Sequence, residues 1–272
     1  MKRKPLTLGK IAIGGNRPVF ILGPCVIESE EFVWRMARAI AEIARAEEVD
    51  FIFKASYDKA NRTSVRSFRG TTAQQGCKIL AQIARELDVP VTTDVHSPEE
   101  ALIAGETIDL LQIPAFLCRQ TDLLRAAADT GRAVNVKKGQ FLAPWDIKNI
   151  ADKLLAFGNE NFCFTERGTT FGYNNLVADM RSLFWMRQAG YRVVFDATHS
   201  VQRPGGAGEA TGGDGEIAPV LARAAMAAGC DGVFMEVHDD PARALSDGPN
   251  QVPLEQLPAI LRVLKAVHAA VY

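Results

Sequence analysis

An alternation repeated eight times constrains the fold of this chain more than any other feature. Short runs rich in apolar and β-branched residues occur at residues 19–22, 51–54, 91–95, 110–114, 133–137, 162–165, 192–196 and 232–237. Each is followed by a longer stretch of helical period, at residues 30–47, 72–87, 98–105, 121–130, 144–157, 176–189, 216–228 and 254–270. In the first of these, Val33, Met36, Ala37, Ile40, Ile43 and Ala44 recur at three- and four-residue spacing and form one apolar face. Pro98 and Pro144 stand near helix starts, where a missing N–H costs nothing. Gly131, Gly190 and Gly229 stand just past helix ends, where the chain turns left-handed.

Strands that alternate with helices run parallel, and a parallel sheet needs both faces covered. Eight such units in 272 residues is the number that closes a barrel. A doubly wound open sheet competes with this reading. It normally carries a GxGxxG turn after its first strand, and Gly23-Pro24-Cys25-Val26-Ile27-Glu28 is not one. The expected fold is therefore α/β, a (β/α)8 TIM barrel forming one domain over residues 1–272. Ahead of it, Leu6-Thr7-Leu8 and Ile11-Ala12-Ile13 alternate around Gly9-Lys10, which predicts a hairpin closing the bottom of the barrel.

Charge narrows the partners. Lys and Arg number 31 against 32 Asp and Glu, a formal net charge of −1. Such a balance gives no general attraction to nucleic acid or to an anionic membrane, so an anionic ligand must be met by a local cluster. The five cysteines form no CxxC pair, as expected of reduced thiols in a cytoplasmic protein. Met1-Lys2-Arg3-Lys4 resembles a signal-peptide start, but Gly14-Gly15-Asn16-Arg17-Pro18 breaks the apolar stretch that should follow. No run approaches the ~18 apolar residues of a membrane span.

Barrel active sites form at the C-terminal ends of the strands, and the polar residues of this chain gather there. In strand order these are Cys25, Lys54, Asp94 with His96, Gln112, Asn135 with Lys137, Glu166 with Arg167, Asp196 with His199, and Glu236 with His238. Two subsets matter. Lys54, Lys59, Arg62, Lys137 and Arg167 suit a phosphoryl group, which carries roughly −1.5 to −2 charge. Taken singly, each could equally be a solvated surface residue, although Lys54 and Lys137 end otherwise apolar strands. Cys25, His199, Glu236 and Asp247 offer thiolate, imidazole and carboxylate ligands for a divalent ion. The residues alone leave the opposing reading open, with Cys25 a small core hydrophobe and His199 a satisfied core histidine. Residues 202–215 hold six glycines without P-loop spacing and are expected to form a mobile lid. Trp34, Trp145 and Trp185 are expected to pack, His268 to lie at a surface, and Cys77, Cys118, Cys163 and Cys230 to be structural.

The motifs at these positions resemble one family. Phe53-Lys54-Ala55-Ser56-Tyr57-Asp58-Lys59-Ala60-Asn61-Arg62-Thr63-Ser64 with Ser67-Phe68-Arg69-Gly70, Thr93-Asp94-Val95-His96 and Gln112-Ile113-Pro114-Ala115-Phe116-Leu117 are similar to the signatures of 3-deoxy-D-manno-octulosonate 8-phosphate synthases. So are Asn135-Val136-Lys137-Lys138-Gly139-Gln140-Phe141, Thr165-Glu166-Arg167-Gly168, Phe171-Gly172-Tyr173-Asn174-Asn175 and Asp196-Ala197-Thr198-His199-Ser200. A related synthase that uses erythrose 4-phosphate typically has Lys-Pro-Arg-Thr-Ser in place of Lys59-Ala60-Asn61-Arg62-Thr63, and Gly-Ala-Arg in place of Pro114-Ala115-Phe116. Both differences favour the octulosonate enzymes.

The resemblance implies condensation of phosphoenolpyruvate with arabinose 5-phosphate in lipopolysaccharide synthesis. It implies that Lys54, Lys59, Lys137 and Arg167 meet the phosphoenolpyruvate anions, and that Asn61, Arg62 and Thr63 hold the sugar phosphate. Asp94 would meet sugar hydroxyls, Gln112 and Ala115 would complete the substrate set, and Lys54, Lys59, Lys137, Asp94 and His199 would form the catalytic group. Metal-independent members have Asn at the position of Cys25. The filled quartet Cys25, His199, Glu236 and Asp247 thus resembles the class that needs one divalent ion (Fe2+, Zn2+ or Mn2+). A cytoplasmic homotetramer is also implied. Two other classes remain as alternatives: a metal-dependent aldolase or isomerase on the same barrel, and a sugar-phosphate-binding barrel without catalysis.

Overall fold

The computed structural model describes residues 4–62, 64–207 and 210–272. The chain begins with the expected hairpin, β1 (Leu6–Leu8) and β2 (Ile11–Ile13), paired antiparallel around Gly9 in the left-handed region (φ +58°). Leu6, Leu8, Ile11 and Ile13 are buried in one cluster with Val19, Ile52, Leu110 and Ala133 of the barrel strands. The hairpin is thus an apolar plug under the barrel, and each buried aliphatic side chain contributes about 1.5–3 kcal/mol relative to exposure.

The alternation then follows: β3 (Val19–Gly23), α1 (Glu30–Ala46), β4 (Asp50–Lys54), α2 (Ala73–Leu87), β5 (Val91–Asp94), α3 (Pro98–Gly105), β6 (Leu110–Ile113), α4 (Thr121–Asp129), β7 (Ala133–Lys137), α5 (Ile147–Ala156) and β8 (Phe162–Glu166). Two short strands, β9 (Thr169–Thr170) and β10 (Leu176–Val177), precede α6 (Arg181–Gln188) and β11 (Val193–Asp196). The ribbon β12 (Gln202–Ala207) and β13 (Ala210–Gly213) leads to α7 (Ala218–Ala228), β14 (Gly232–His238), β15 (Val252–Pro253) and α8 (Leu257–Val271). Side-chain caps start the early helices: Ser29, Thr72 and Ser97 accept from the N–H groups of Phe32, Gln75 and Glu100.

Strands β3, β4, β5, β6, β7, β8, β11 and β14 pair in parallel in that order, and β14 pairs with both β11 and β3. That second pairing closes the ring and excludes the open doubly wound sheet. One row of side chains on each strand points inward, while the other meets the helices in a continuous apolar layer containing Val134, Val136, Phe162 and Phe164.

Two expectations are corrected. The helix expected over 176–189 begins only at Arg181, because Leu176 and Val177 pair with Thr170 and Thr169 instead. Asp179 sets the boundary by accepting from the Arg181 N–H at 3.0 Å. Residues 202–215, expected as a lid, carry the β12–β13 ribbon, whose base is tied by the Arg203–Asp214 ion pair at 2.8 Å; this gives the segment a form and leaves the expectation of a lid untouched. Trp145 is exposed and meets Trp185 edge to face at 5.6 Å, whereas Trp34 packs partly buried against the core. As expected, Cys77, Cys118, Cys163 and Cys230 are buried free thiols, and His268 lies on α8 against Tyr272. Among the described residues, no helix is long and apolar enough to cross a membrane.

Candidate active site

Upward along the barrel interior the apolar plug gives way to polar side chains. Phe234 marks the boundary: the ammonium groups of Lys137 and Lys54 stand 4.0 and 5.6 Å from its ring centre, an attraction of cation for aromatic face. Above it a chain of hydrogen bonds crosses five units. Ser56 donates to Asp94, Gln112 donates to Asp94 (2.5 Å), Asn135 donates to Gln112 (3.1 Å), and Thr165 donates to Asn135 (2.8 Å). Each amide uses one end to give and the other to accept, so its orientation is fixed and Asp94 is locked in place. Gly23 is required in this region: its φ is +156°, and an added Cβ would lie 1.8 Å from the Lys54 carbonyl oxygen.

The basic residues converge as expected. Lys54, fully buried, donates to Glu236 at 2.6 Å and to the Cys25 carbonyl at 2.8 Å. Lys59 lies 3.6 Å from the same carboxylate, and Lys137 donates to Asp196 at 2.8 Å. Arg62 donates to Ser246 at 2.6 Å and lies 3.9 Å from Asp247. Arg167 donates to the His199 carbonyl (2.9 Å) and to Gln202 (2.7 Å). The Nε groups of Arg62 and Arg167 are buried without a hydrogen-bond partner among the described residues. Five cations against the carboxylates of Asp94, Asp196, Glu236 and Asp247 leave the group positive, with donors to spare for an anion.

Titration follows from this crowding. Burial opposes ionisation of Asp94, Asp196 and Glu236, yet the surrounding cations hold all three carboxyls well below the usual carboxylate range. The neighbours that favour the ionised form are Lys59 and Lys54 for Asp94, Lys137 with the His199 ring for Asp196, and Lys54 with the same ring for Glu236. Burial pulls Lys137 below its ordinary value, against the attraction of Asp196 and Asp94. Lys59 goes the other way: burial pulls it down, but Cys25, Glu236, Asp94 and Asp247 together raise it well above the usual value.

Of the four ligand candidates, Cys25, Glu236 and Asp247 offer donor atoms within 4.8 Å of one another. His199 stands outside that trio but touches it: its Nδ1 is held 2.8 Å from Asp196, and its Nε2 lies 3.6 Å from Glu236. A histidine whose one nitrogen is tied to a carboxylate presents the other as a ligand. Asp247 adopts the left-handed region (φ +49°), uncommon for any residue but glycine. Burial, with Glu236 and Asp247 nearby, pushes the Cys25 thiol far up. One thiol, two carboxylates and a reachable imidazole form a donor set that suits a divalent ion of intermediate softness.

A cleft of about 470 Å3 opens over this group, within the size range of small-molecule sites. Lys59, Arg62, Asp94, Lys137, Arg167 and His199 line it. So do Asn61, Ala115 and Asp247. Lys54 and Gln112, expected to touch substrate, do not reach the lining: Lys54 lies below it against Glu236, and Gln112 is wholly buried and acts through Asp94. Thr63 lies outside the described residues. Sequence reasoning gave no role to Ser56, Gln140, Gln202, Ser246 or Gln251. Gln202 links Arg167 to Asp247, which it meets at 3.3 Å, and its position three residues after His199 was the available signal. Gln251 accepts from the Cys25 N–H at 3.3 Å.

Known proteins bear on this geometry directly. Residues 3–271 match the model of the DAHP synthetase I family. A 2-dehydro-3-deoxyphosphooctonate aldolase of Geotalea uraniireducens is 58% identical over 269 residues, covering 98% of this chain and 99% of its own. Proteins of the same name from Trichlorobacter lovleyi and Geobacter sulfurreducens are 57% and 56% identical, each over 98% of this chain and 99% of the relative. A match of this extent takes in every barrel strand and every residue gathered around the cleft, and the chain belongs to the DAHP synthetase I family.

Proposed function

We propose that this protein joins phosphoenolpyruvate to D-arabinose 5-phosphate and water, giving 3-deoxy-D-manno-octulosonate 8-phosphate and inorganic phosphate for lipopolysaccharide synthesis. One observation carries the reading: a single cleft lined by Lys59, Arg62, Lys137 and Arg167 has cationic capacity for several anionic groups at once. The full-length relatives named 2-dehydro-3-deoxyphosphooctonate aldolase support the same reaction.

In this reading Lys137 and Arg167, with Lys59, neutralise the carboxylate and phosphate of phosphoenolpyruvate, and Lys54 supports them from below through Glu236. Asn61 and Arg62, with Thr63, receive the sugar's terminal phosphate, and Asp94 accepts from its hydroxyls. Ala115 and Phe116 line the cleft beside them. Holding two anions against each other is a large part of the catalytic task, because the approach of reactants is otherwise an entropic cost and a repulsion. C3 of phosphoenolpyruvate forms the new bond to the aldehyde carbon, water adds at C2, and phosphate departs as the C2–O bond breaks. The two water protons end on the new hydroxyl and on phosphate, so the reaction takes up and releases no net proton. His199, tied through Nδ1 to Asp196, keeps Nε2 available at the cleft.

The same reading gives the enzyme one divalent ion, Fe2+, Zn2+ or Mn2+, held by Cys25, His199, Glu236 and Asp247. Such an ion supplies Lewis acidity and an anchoring point for oxygen ligands. It also includes a cytoplasmic homotetramer, whose contacts would cover exposed Phe116, Phe141, Phe171 and Tyr173.

The test is phosphate release from phosphoenolpyruvate with arabinose 5-phosphate or erythrose 4-phosphate, with and without a strong chelator, alongside metal content by elemental analysis. Release with the five-carbon sugar alone, lost with the ion and restored by a divalent ion, is the expected result. Preference for the four-carbon sugar would move the chain to the related synthase, and turnover that survives metal removal would return Cys25 to the role of a core thiol.

A further inference from the structure

Among the described residues, the layer between barrel and helices, otherwise apolar at β7 and β8, contains one pair of opposite charges at its upper rim. Along β7, Val134 and Val136 face the helices, and along β8, Phe162 and Phe164 do the same. The next outward positions are Lys138 and Glu166, 0% and 1% exposed. Register brings them side by side, since Lys137 pairs with Thr165 and the Lys138 N–H donates to the Thr165 carbonyl at 2.8 Å. Their charged atoms lie 3.5 Å apart.

Burying such a pair is a poor way to gain stability, because desolvating two ions offsets most of their attraction. Its position suggests another use. Lys138 immediately follows Lys137, and Glu166 immediately precedes Arg167, so each member adjoins in sequence a cation of the cleft. The Lys138 ammonium also donates to the carbonyls of Gly139 (3.2 Å) and Leu142 (2.9 Å), fixing the loop that places Gln140 on the cleft. The Glu166 carboxylate accepts from the Gly168 N–H at 2.7 Å, closing a turn around Arg167 in which Gly168 has φ +88°.

We infer that the buried Lys138–Glu166 pair is a positioning device that ties the tops of β7 and β8 together and sets the spacing of Lys137 and Arg167 for phosphoenolpyruvate. Neither residue touches substrate; both act through their neighbours. The inference rests on the reading of Lys137 and Arg167 as the phosphoenolpyruvate site, so the experiment tests that reading separately.

Phosphoenolpyruvate is titrated calorimetrically into metal-loaded protein without sugar. Arg167→Ala should raise its Kd at least ~tenfold, and an unchanged Kd would remove the anion-site reading itself. The double variant Lys138→Met/Glu166→Leu exchanges the pair for apolar side chains of similar length, a change that buried ion pairs commonly tolerate in stability. With Tm within ~5 °C of the parent, its Kd for phosphoenolpyruvate should rise about tenfold while KM for arabinose 5-phosphate changes less than about twofold. A double variant that binds phosphoenolpyruvate within about twofold of the parent overturns the inference and leaves the pair a packing feature. Should the double variant fail to fold, Glu166→Gln decides, because it keeps the acceptor for Gly168 and removes the charge. A Kd raised at least ~threefold in folded Glu166→Gln supports the device, and an unchanged Kd overturns it.

Discussion

Glu236 is the carboxylate on which the buried cations lean, and Glu236→Gln tests that placement without changing shape. Its carboxylate lies 2.6 Å from Lys54, 3.6 Å from Lys59 and 3.6 Å from His199 Nε2, and both Glu236 and Lys54 are 1% exposed. Removing one partner of a buried pair costs about 3–5 kcal/mol, since the remaining charge is left uncompensated. Glutamine keeps an acceptor oxygen for the Lys54 ammonium, so the lower end, about 3 kcal/mol, applies. In a chain of this size each kcal/mol moves Tm by roughly 2–4 °C, which gives a fall of roughly 6–12 °C. The assay is calorimetric melting after exhaustive chelation, because a bound ion would add its own linkage to the stability of the parent alone. A cycle with Lys54→Met isolates the pair: the second substitution should cost much less in the Glu236→Gln background than in the parent. Should chelated Glu236→Gln melt at or above the parent, the carboxylate would not be holding the cations in place, and the electrostatic account of the site would fail.

Three further outcomes follow from the same geometry. Gly23→Ala places a Cβ 1.8 Å from the Lys54 carbonyl, a collision of backbone with side chain. Stability should drop by at least ~3 kcal/mol, seen in urea unfolding, and a loss under about 1 kcal/mol would mean the strands slide apart freely. Burial holds Lys137 below the ordinary 10.5, so its charge is lost as pH rises through a value below 10.5. With phosphoenolpyruvate limiting, kcat/KM should fall on that alkaline limb, and Lys137→Arg should move the limb upward; a limb that stays put assigns it elsewhere. Asp94, Asp196 and Glu236 have depressed folded values, so their stabilisation is complete above the ordinary 3.8 and 4.5 and is lost only as pH falls below them. Near-UV circular dichroism of the chelated protein should keep its native baseline down to about pH 4, and unfolding that begins above about pH 5 would contradict the sign.

How much of this could be read from residues alone varied with the range of the interaction. Period-two and period-3.6 patterns are local, and they placed all eight barrel strands within a residue or so of β3 through β14. The strand-end polar residues were legible because Lys54 and Lys137 break an apolar run that needs no charge. Where a short apolar pair has two uses, the pattern misled: Leu176 and Val177 looked like the start of a helix, and the facing threonines that made them a strand lie six and eight residues back along the chain. Contacts of long range left no local signal, and the grouping of Cys25 with Glu236 and Asp247 came from the family resemblance and not from spacing. Cys25 reaches Ser246 across 221 residues, and the Cys25–Gln251 contact spans 226, so only the closed barrel brings them together. His199 was expected beside Cys25, Glu236 and Asp247; in the fold Asp196 holds its Nδ1 and its Nε2 lies 3.6 Å from Glu236.

The division of the barrel explains why so many buried charges are tolerated at one end. Below Phe234 the interior is the apolar plug of Ile13, Val19, Ile21 and Ile52, and outside it the sheet–helix layer is apolar from Val33 to Leu264. These layers supply most of the apolar burial that keeps the fold closed. The upper end is therefore free to hold Lys54, Lys137, Arg167, Asp196 and Glu236 in contacts that cost desolvation and return little stability. What such contacts return is order: cations whose positions are set before an anion arrives need no rearrangement when it binds. The Lys138–Glu166 pair extends that logic outward, since it places charge even in the layer that should be apolar, at the two residues adjoining Lys137 and Arg167.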